Sequence, residues 1–129
     1  MKPTAAEWVS KAEGDFAIVE RECRARKNPS YDGACFHAQQ CAEKYLKALL
    51  LFAGGEPPKT HDLRLLLQRL PAAMRSAFSM EHMVELNRYS VEARYPGEWD
   101  PISRAEAERA VVLARATRNT ARALLAVQP

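Results

Sequence analysis

The sequence predicts an all-α protein, an antiparallel up-and-down bundle of four long helices and one short helix. Apolar residues recur at alternating steps of three and four along most of the chain, which is the period of an amphipathic helix. No segment shows the strict apolar–polar alternation of a strand, and prolines and glycines divide the chain into helix-sized pieces. A chain of 129 residues is long enough for one continuous core, so we expect a single domain over residues 1–129.

The first two helices have clear boundary signals. Thr4 and Glu7 form the pattern of a capping box, and Asn28-Pro29 is expected to end the helix that they start. Asp32 is expected to cap the second helix, and Gly54-Gly55 to end it. The residues expected to face the core are Trp8, Ala12, Phe16, Val19 and Cys23 in the first helix, and Cys35, Ala38, Ala42, Tyr45, Leu49 and Phe52 in the second.

The third and fourth helices follow a stiff Pro57-Pro58 link. We expect Thr60 to cap the third helix, with Asp62 in its first turn, and Pro71 to stop it. The fourth helix is expected from Ser79 to about Ala93. The apolar residues expected inward are Leu63, Leu66, Leu67 and Leu70 in the third helix, and Met83, Leu86 and Ala93 in the fourth.

The last helix opens with Ser103 and Glu106 in the pattern of a second capping box. Its arginines outnumber its glutamates, and further cations cluster near the end of the first helix, although the formal net charge is only +3. Cations suit the C-terminal end of a helix dipole, so a solvated face is the default interpretation, and a stripe that faces phosphate or RNA is the alternative. These cations are Arg104, Arg109, Arg115, Arg118 and Arg122, and Arg21, Arg24, Arg26 and Lys27.

Composition also bears on the compartment. No apolar run approaches the roughly 20 residues of a membrane span, so we expect no membrane association. The N-terminal segment has acidic residues and lacks the apolar run of a signal peptide. Three cysteines cannot all pair within one chain, which favours reduced thiols and a cytoplasmic location.

The crowded first half of the second helix suggests a metal site, and its geometry argues against one. Cys35 and His37 are two positions apart and point to nearly opposite sides of a helix, so they cannot bind one ion. His37 and Cys41 are four apart, but two ligands do not make a zinc site, and no second pair has matching spacing. We therefore predict no metal site and no cofactor.

The polar residues of the same helix form a contiguous flank. His37, Gln40, Lys44 and Lys47 lie on one side, and Glu43 precedes Lys47 by one turn in the favourable order for an ion pair. This flank fits either a solvated face with one ion pair or the wall of a ligand-binding groove, and both interpretations stay open.

The stretch CFHAQQCAEKYLKALLLFAGGEPPKTHDLRLLL, together with the later EARYPGEW, resembles the HEPN (higher eukaryotes and prokaryotes nucleotide-binding) domain in its small stand-alone prokaryotic branch. The resemblance implies a fold similar to the C-terminal helical part of kanamycin nucleotidyltransferase, and usually a homodimer. It also implies a minimal nucleotidyltransferase as partner, in toxin–antitoxin or stress modules. Many members are metal-independent ribonucleases that use an arginine followed four to six residues later by a histidine.

An arginine–histidine pair of that kind has one loose match in this chain, Arg75 and His82, with six residues between them. A histidine can accept a proton from a ribose hydroxyl, and an arginine can stabilise charge on the phosphate. The position that resembles the family's arginine is Arg94, which has Trp99 and Asp100 where the histidine is expected. The leading interpretation is therefore a nucleotide- or partner-binding module. The alternatives are a metal-independent endoribonuclease through Arg75 and His82, and a helical scaffold without a small ligand.

Candidate ligand-binding residues outside the flank lie at helix ends. His61 stands at the start of the third helix, where free N–H groups can bind anions, although packing on the turn is the default interpretation. Arg94 and Tyr95 precede Pro96 and suit phosphate contact or stacking, although an arginine there also suits the helix dipole. The complete set of candidate ligand-binding residues is Gln40, Lys44, Lys47, His61, Arg94 and Tyr95.

Apolar residues beyond a single stripe favour a homodimer, with its interface close to the polar flank of the second helix. A two-fold axis there would let Lys44, Lys47 and Arg94 line one shared cleft for a nucleotide or RNA. The surplus apolar residues are Leu50 and Leu51 in the second helix and Met80, Met83 and Val84 in the fourth.

Overall fold

The computed structural model describes residues 2–90 and 100–126. In these two ranges it contains helices and no strand, which confirms the predicted all-α fold class. The helices are α1 (Ala5–Arg24), α2 (Tyr31–Phe52), α3 (Leu63–Arg69), α4 (Ala72–Arg75), α5 (Met80–Asn87) and α6 (Arg104–Ala126). None of them is long and apolar enough to cross a membrane.

The starts of α1 and α2 are set by side-chain caps. The predicted capping box of α1 is confirmed, because the Glu7 N–H donates to Thr4 Oγ1 at 3.1 Å and the Thr4 N–H donates to Glu7 Oε1 at 3.0 Å. At α2 the predicted cap was wrong. Ser30 is the cap and accepts from the Gly33 N–H at 2.9 Å, whereas Asp32 lies in the first turn. A carboxylate there still faces the positive end of the helix dipole.

Asp62, and not Thr60, caps α3, so this prediction was also wrong. Asp62 Oδ1 accepts from the Arg64 N–H at 3.0 Å and from Asn87 Nδ2 at 2.8 Å. Thr60 Oγ1 instead accepts from the Asp62 N–H at 3.1 Å, which places it outside the helix. The cap therefore also connects α3 to the end of α5.

The fourth helix is shorter than predicted, and the one-turn helix α4 before it was not predicted. Helix α4 follows Pro71, and α5 begins just after Ser79, the predicted start, but ends at Asn87. Beyond Asn87 the N–H groups of Arg88 and Tyr89 bond three residues back, to Glu85 and Leu86. This tighter pattern ends the α-helix, and within the described residues only α1, α2 and α6 are long. The predicted remainder of the helix, residues 91–93, lies outside the described residues.

Helix α2 lies at the centre of the core and packs against α1, α3, α5 and α6. Ala38 and Ala42, on one stripe of this helix, are completely buried, and their small side chains allow neighbouring backbones to approach closely. Not every residue predicted to face the core is buried: Phe52, at the last position of α2, is 41% exposed. The core is completed by buried leucines of α3 and α6 and by Met83 and Leu86 of α5.

A polar clamp joins the three long helices at Glu13 of α1. The guanidinium of Arg118 on α6 donates to both carboxylate oxygens of Glu13 at 2.7 Å, and the hydroxyl of Tyr45 on α2 donates to the same carboxylate. The hydrogen bonds from Arg118 hold the pKa of Glu13 below its usual value. Burial, followed by the bond to Glu13, raises the pKa of Tyr45 to about 12. One carboxylate thus fixes α1, α2 and α6 relative to one another.

We expect Glu13→Gln to lower the free energy of unfolding by about 1–3 kcal/mol at neutral pH, since two charge-assisted hydrogen bonds lose their acceptor charge. A carboxyl whose pKa is lowered by folding stabilises the fold above its unfolded pKa and loses that contribution as the pH falls through the folded pKa. The difference between wild type and variant should therefore shrink as the pH falls below the ordinary pKa of a glutamate, in urea unfolding followed by circular dichroism.

Glu20→Gln is the matched control. Glu20 meets Arg115 of α6 at 3.4 Å in an exposed ion pair, so its loss should change the stability by about 0.5 kcal/mol or less. Equal losses for the two variants, or a Glu13→Gln loss that does not depend on pH, would contradict the role of the clamp.

Candidate functional site

The polar flank of α2 is divided between two buried carboxylates. Asp15 of α1 binds two residues of the flank. Its Oδ2 lies 2.6 Å from Lys44 Nζ, and its Oδ1 lies 2.7 Å from His37 Nδ1. The Asp15 side chain is only 8% exposed. Lys44 is therefore neutralised within the bundle by a residue 29 positions away in the sequence.

Glu43 binds Lys47, the last residue of the flank. The predicted ion pair is confirmed, with Lys47 Nζ 3.1 Å from Glu43 Oε2. The other oxygen lies 2.9 Å from His61 Nδ1, and the Glu43 side chain is only 4% exposed. Gln39 Nε2 donates to the His61 carbonyl at 2.9 Å, and Gln40 donates to Gln39 Oε1 at 2.7 Å. This network attaches the segment before α3 to the middle of α2.

Beside this network lies a cleft of about 390 Å³, between the start of α1, the second half of α2 and the segment 56–61. We call it the Trp8 cleft. Lys47 and His61 bring the Glu43 network to its wall, and Trp8 contributes an indole ring whose Nε1 is buried and has no hydrogen-bond partner among the described residues. Other residues that line it are Lys2, Pro3, Leu51, Glu56, Pro57, Pro58, Lys59 and Thr60.

Charges in the Trp8 cleft are mostly positive and only partly paired. Lys47 is neutralised by Glu43, and its Nζ also lies 5.2 Å from the centroid of the Trp8 ring. At the rim, Lys2 Nζ lies 3.1 Å from Glu56 Oε1. Lys59 forms no ion pair with any described residue. An apolar wall with cations around it suits a ligand that combines a flat ring with an anionic group.

The structure separates the residues that the sequence grouped together. Lys47 and His61 line the Trp8 cleft, whereas Gln40 and Lys44 do not, since their polar atoms are held by Gln39 and Asp15. Arg94 and Tyr95 lie outside the described residues.

Three residues of the cleft were missed by reasoning from the sequence. Trp8 was interpreted as a core residue because of its place on the apolar stripe of α1, but it is only half-buried. Lys2 and Lys59 belong to no recognisable sequence motif. They line the same cleft because the N-terminal segment meets the segment 56–61 at the Lys2–Glu56 ion pair, for which the sequence contains no local signal.

The arginine–histidine pair is not assembled as a hydrogen-bonded site. Arg75 Nη1 donates to the carbonyls of Gln68 and Leu70, at 3.2 and 3.3 Å, and so caps the end of α3. His82 lies in the first turn of α5, beyond its cap Ser79, and borders a cavity of about 120 Å³ against α6. Arg75 and His82 are therefore held in different local environments.

Possible metal ligands do not converge in the part of the chain that the structure describes: no three histidine, cysteine, aspartate or glutamate side chains there form a group that could hold an ion. The buried Cys41 thiol has a pKa raised by burial, which disfavours the thiolate that a metal would bind.

The comparisons with known proteins agree with the helical architecture. The family model described as HEPN domain matches residues 5–124. TT1696 from Thermus thermophilus is 28% identical, with a TM-score of 0.78 over 92% of this chain and 96% of that one. ST0689, described as an archaeal HEPN homologue, is 26% identical, with a TM-score of 0.76 over 96% of this chain and 99% of that one. No curated protein matches the sequence. Since the family model covers nearly the whole chain, the protein belongs to the HEPN domain family.

Proposed function

We propose that the protein is a non-catalytic nucleotide-binding module whose ligand occupies the Trp8 cleft. The observation that carries this proposal is the combination, in one cleft of about 390 Å³, of an indole ring with lysines from three segments of the chain. Membership of the HEPN family supports a module of the nucleotide-binding or ribonuclease type.

The apolar wall of the cleft suits a nucleobase. Trp8 contributes an aromatic ring and Pro57 and Pro58 contribute apolar rings to this wall, and stacking of a base on an aromatic side chain contributes about 1–3 kcal/mol. The contact of Lys47 with the ring, together with its ion pair to Glu43, restrains both the indole and the ammonium group. Such a preformed wall lowers the ordering cost of binding.

The cationic rim suits the phosphate. Lys59 is unpaired among the described residues, and the exposed pair of Lys2 with Glu56 is weak, because both side chains are largely solvated. A phosphate can therefore draw on Lys59 directly and compete with Glu56 for Lys2 at small cost.

We further propose that the protein acts as a homodimer, beside a nucleotidyltransferase partner in a toxin–antitoxin or stress system. Leu50 and Met83, counted as surplus apolar residues in the sequence, are buried inside the bundle. Val84 of α5 and Val112 of α6 are 48% and 51% exposed, and the Glu85–Arg109 ion pair joins these two helices. The exposed valines of α5 and α6 therefore support a dimer interface on these two helices better than the flank of α2 does.

The first prediction from the proposed function concerns ligand binding. At least one of the four ribonucleoside 5′-monophosphates should bind in isothermal titration calorimetry. Trp8→Ala should lower the affinity for this nucleotide about tenfold or more, because the stacking surface is lost. Lys59→Ala should also weaken binding. Lys27→Ala, which removes an exposed lysine beyond the far end of α1, is the charge-matched control and should have no effect. Absence of binding at about 1 mM, or wild-type binding by a folded Trp8→Ala protein, would refute the site.

A second prediction concerns catalysis. Because Arg75 donates to backbone carbonyls, the purified protein in EDTA should leave a structured RNA substrate intact over hours. Cleavage that disappears in a folded His82→Ala variant would show instead that the protein is a metal-independent ribonuclease.

The third prediction concerns assembly. Light scattering at micromolar concentration should give about twice the chain mass, and Val84→Glu with Val112→Glu should give monomers, since two charges would have to be buried in the interface. Phe52→Glu, at another exposed apolar position, should remain dimeric. A monomeric wild type would refute the dimer, and a monomeric Phe52→Glu protein would move the interface to the end of α2.

A further inference from the structure

The geometry points to a terminal phosphate monoester as the ligand group of the Trp8 cleft, bound by His61 with uptake of a proton. This inference rests on the proposed function, because it specifies which phosphate the cleft accepts and how the charge of that phosphate is balanced.

The positive charges that face the ligand are few. Of the cations that line the cleft, Lys47 is paired with Glu43 and Lys2 with Glu56, which leaves Lys59 as the one lysine there without an ion pair to a described residue. A phosphate monoester carries about −1.5 to −2 charges near neutral pH, whereas an internal phosphodiester carries about −1. Lys59 matches the charge of a diester. A phosphate has to share Lys2 with Glu56, so Lys2 adds less than a full charge, and a monoester still needs a further positive charge.

His61 is placed to supply that further charge. Its Nδ1 lies 2.9 Å from the buried carboxylate of Glu43, and the ring is 42% exposed at the wall of the cleft. The contact with Glu43 assigns the Nδ1 proton to that side, so Nε2 is the nitrogen that can face a ligand. Gln39 holds the backbone of His61 through its carbonyl at 2.9 Å, so the position of the ring is fixed from two sides.

The buried carboxylate has a second effect. Glu43 already balances Lys47, and when His61 becomes protonated the same carboxylate also faces the imidazolium. A phosphate at Nε2 then places negative groups on both sides of the imidazolium, which favours its protonated form. Glu43 is therefore a positioning residue, and His61 is the residue that contacts the phosphate.

The other charged groups around His61 also affect how readily it becomes protonated. Lys47 of α2 and Lys59 of the connecting segment disfavour protonation, while Glu43, the neighbouring Asp62 and Glu56 at the rim favour it. Asp62 is already bound by the Arg64 N–H and by Asn87. Histidine is the member of this set whose side chain ordinarily titrates near neutral pH, so the proton taken up on binding goes to His61.

The size of the cleft favours a single nucleotide over a strand. A volume of about 390 Å³ lies near the lower end of the roughly 300–1,000 Å³ typical of small-molecule sites. A cleft of this volume accommodates one nucleotide, so it suits a mononucleotide better than a continuous strand.

Calorimetry with matched ligands tests the inference. The ligands are the tightest-binding ribonucleoside 5′-monophosphate and the 3′,5′-cyclic monophosphate of the same nucleoside, which has the same base but a singly charged diester. Titrations at about pH 7.5 are run in buffers that differ in ionisation enthalpy, so that the slope of the observed enthalpy gives the protons taken up. We expect uptake approaching about one proton for the monoester, none for the cyclic diester, and about tenfold weaker binding of the diester.

Three variants separate the roles of the residues. His61→Gln should abolish the proton uptake and lower the affinity for the monoester about tenfold, while the affinity for the cyclic diester stays the same. Lys59→Ala, the matched control, should lower the affinity for both ligands and leave the proton uptake unchanged. Glu43→Gln, checked for native helicity, should lower the proton uptake because the imidazolium loses the carboxylate behind it.

The outcomes distinguish this inference from the proposed function. If no nucleotide binds, the proposed function itself fails. If the monoester and the cyclic diester bind equally, without dependence on the buffer or with unchanged uptake in His61→Gln, the Trp8 cleft remains a nucleotide site and only the monoester inference is overturned.

Discussion

Burial of the Glu43 carboxylate is the constraint on which the functional side of the bundle depends. A charged group with 4% of its side chain exposed is costly unless cations and donors surround it. Lys47 comes from one turn further along α2, but the second partner, His61, has to come from another part of the chain. The requirement therefore draws the segment before α3 onto α2, and the Trp8 cleft forms where this segment meets the start of α1.

Helix α2 combines two tasks that usually belong to separate elements. It supplies small buried residues such as Ala38 and Ala42, which admit neighbouring helices closely, and it also carries Gln39 and Glu43, which are buried as well. Each buried polar group on this helix has to find its partner at a defined place. The core of the protein is therefore specified by hydrogen-bond geometry as well as by volume, and the clamp at Glu13 extends the same principle to α6.

Interactions between residues close in sequence were predictable. The capping box of Thr4 and Glu7 and the ion pair of Glu43 with Lys47 span three and four positions, and the helix period places these partners together whatever the tertiary structure. The cap of α2 was harder, because Ser30 and Asp32 are both good capping residues and lie only two positions apart. Interactions between distant residues were not predictable in the same way. Lys44 looked like a free cation on a ligand-binding flank, yet Asp15, on another helix, neutralises it, since periodicity shows which face is polar but not which charge will meet it.

The position of Lys2 and Pro3 in the lining of the cleft has a practical consequence for protein production. An affinity tag fused to the amino terminus would leave the bundle at the cleft, next to the Lys2–Glu56 ion pair. A polyhistidine tag would in addition bring imidazoles close to a site in which His61 is proposed to contact the ligand. Recombinant protein intended for ligand studies should therefore carry a cleavable tag, or a tag at the other end of the chain, so that the chemistry measured is that of the native cleft.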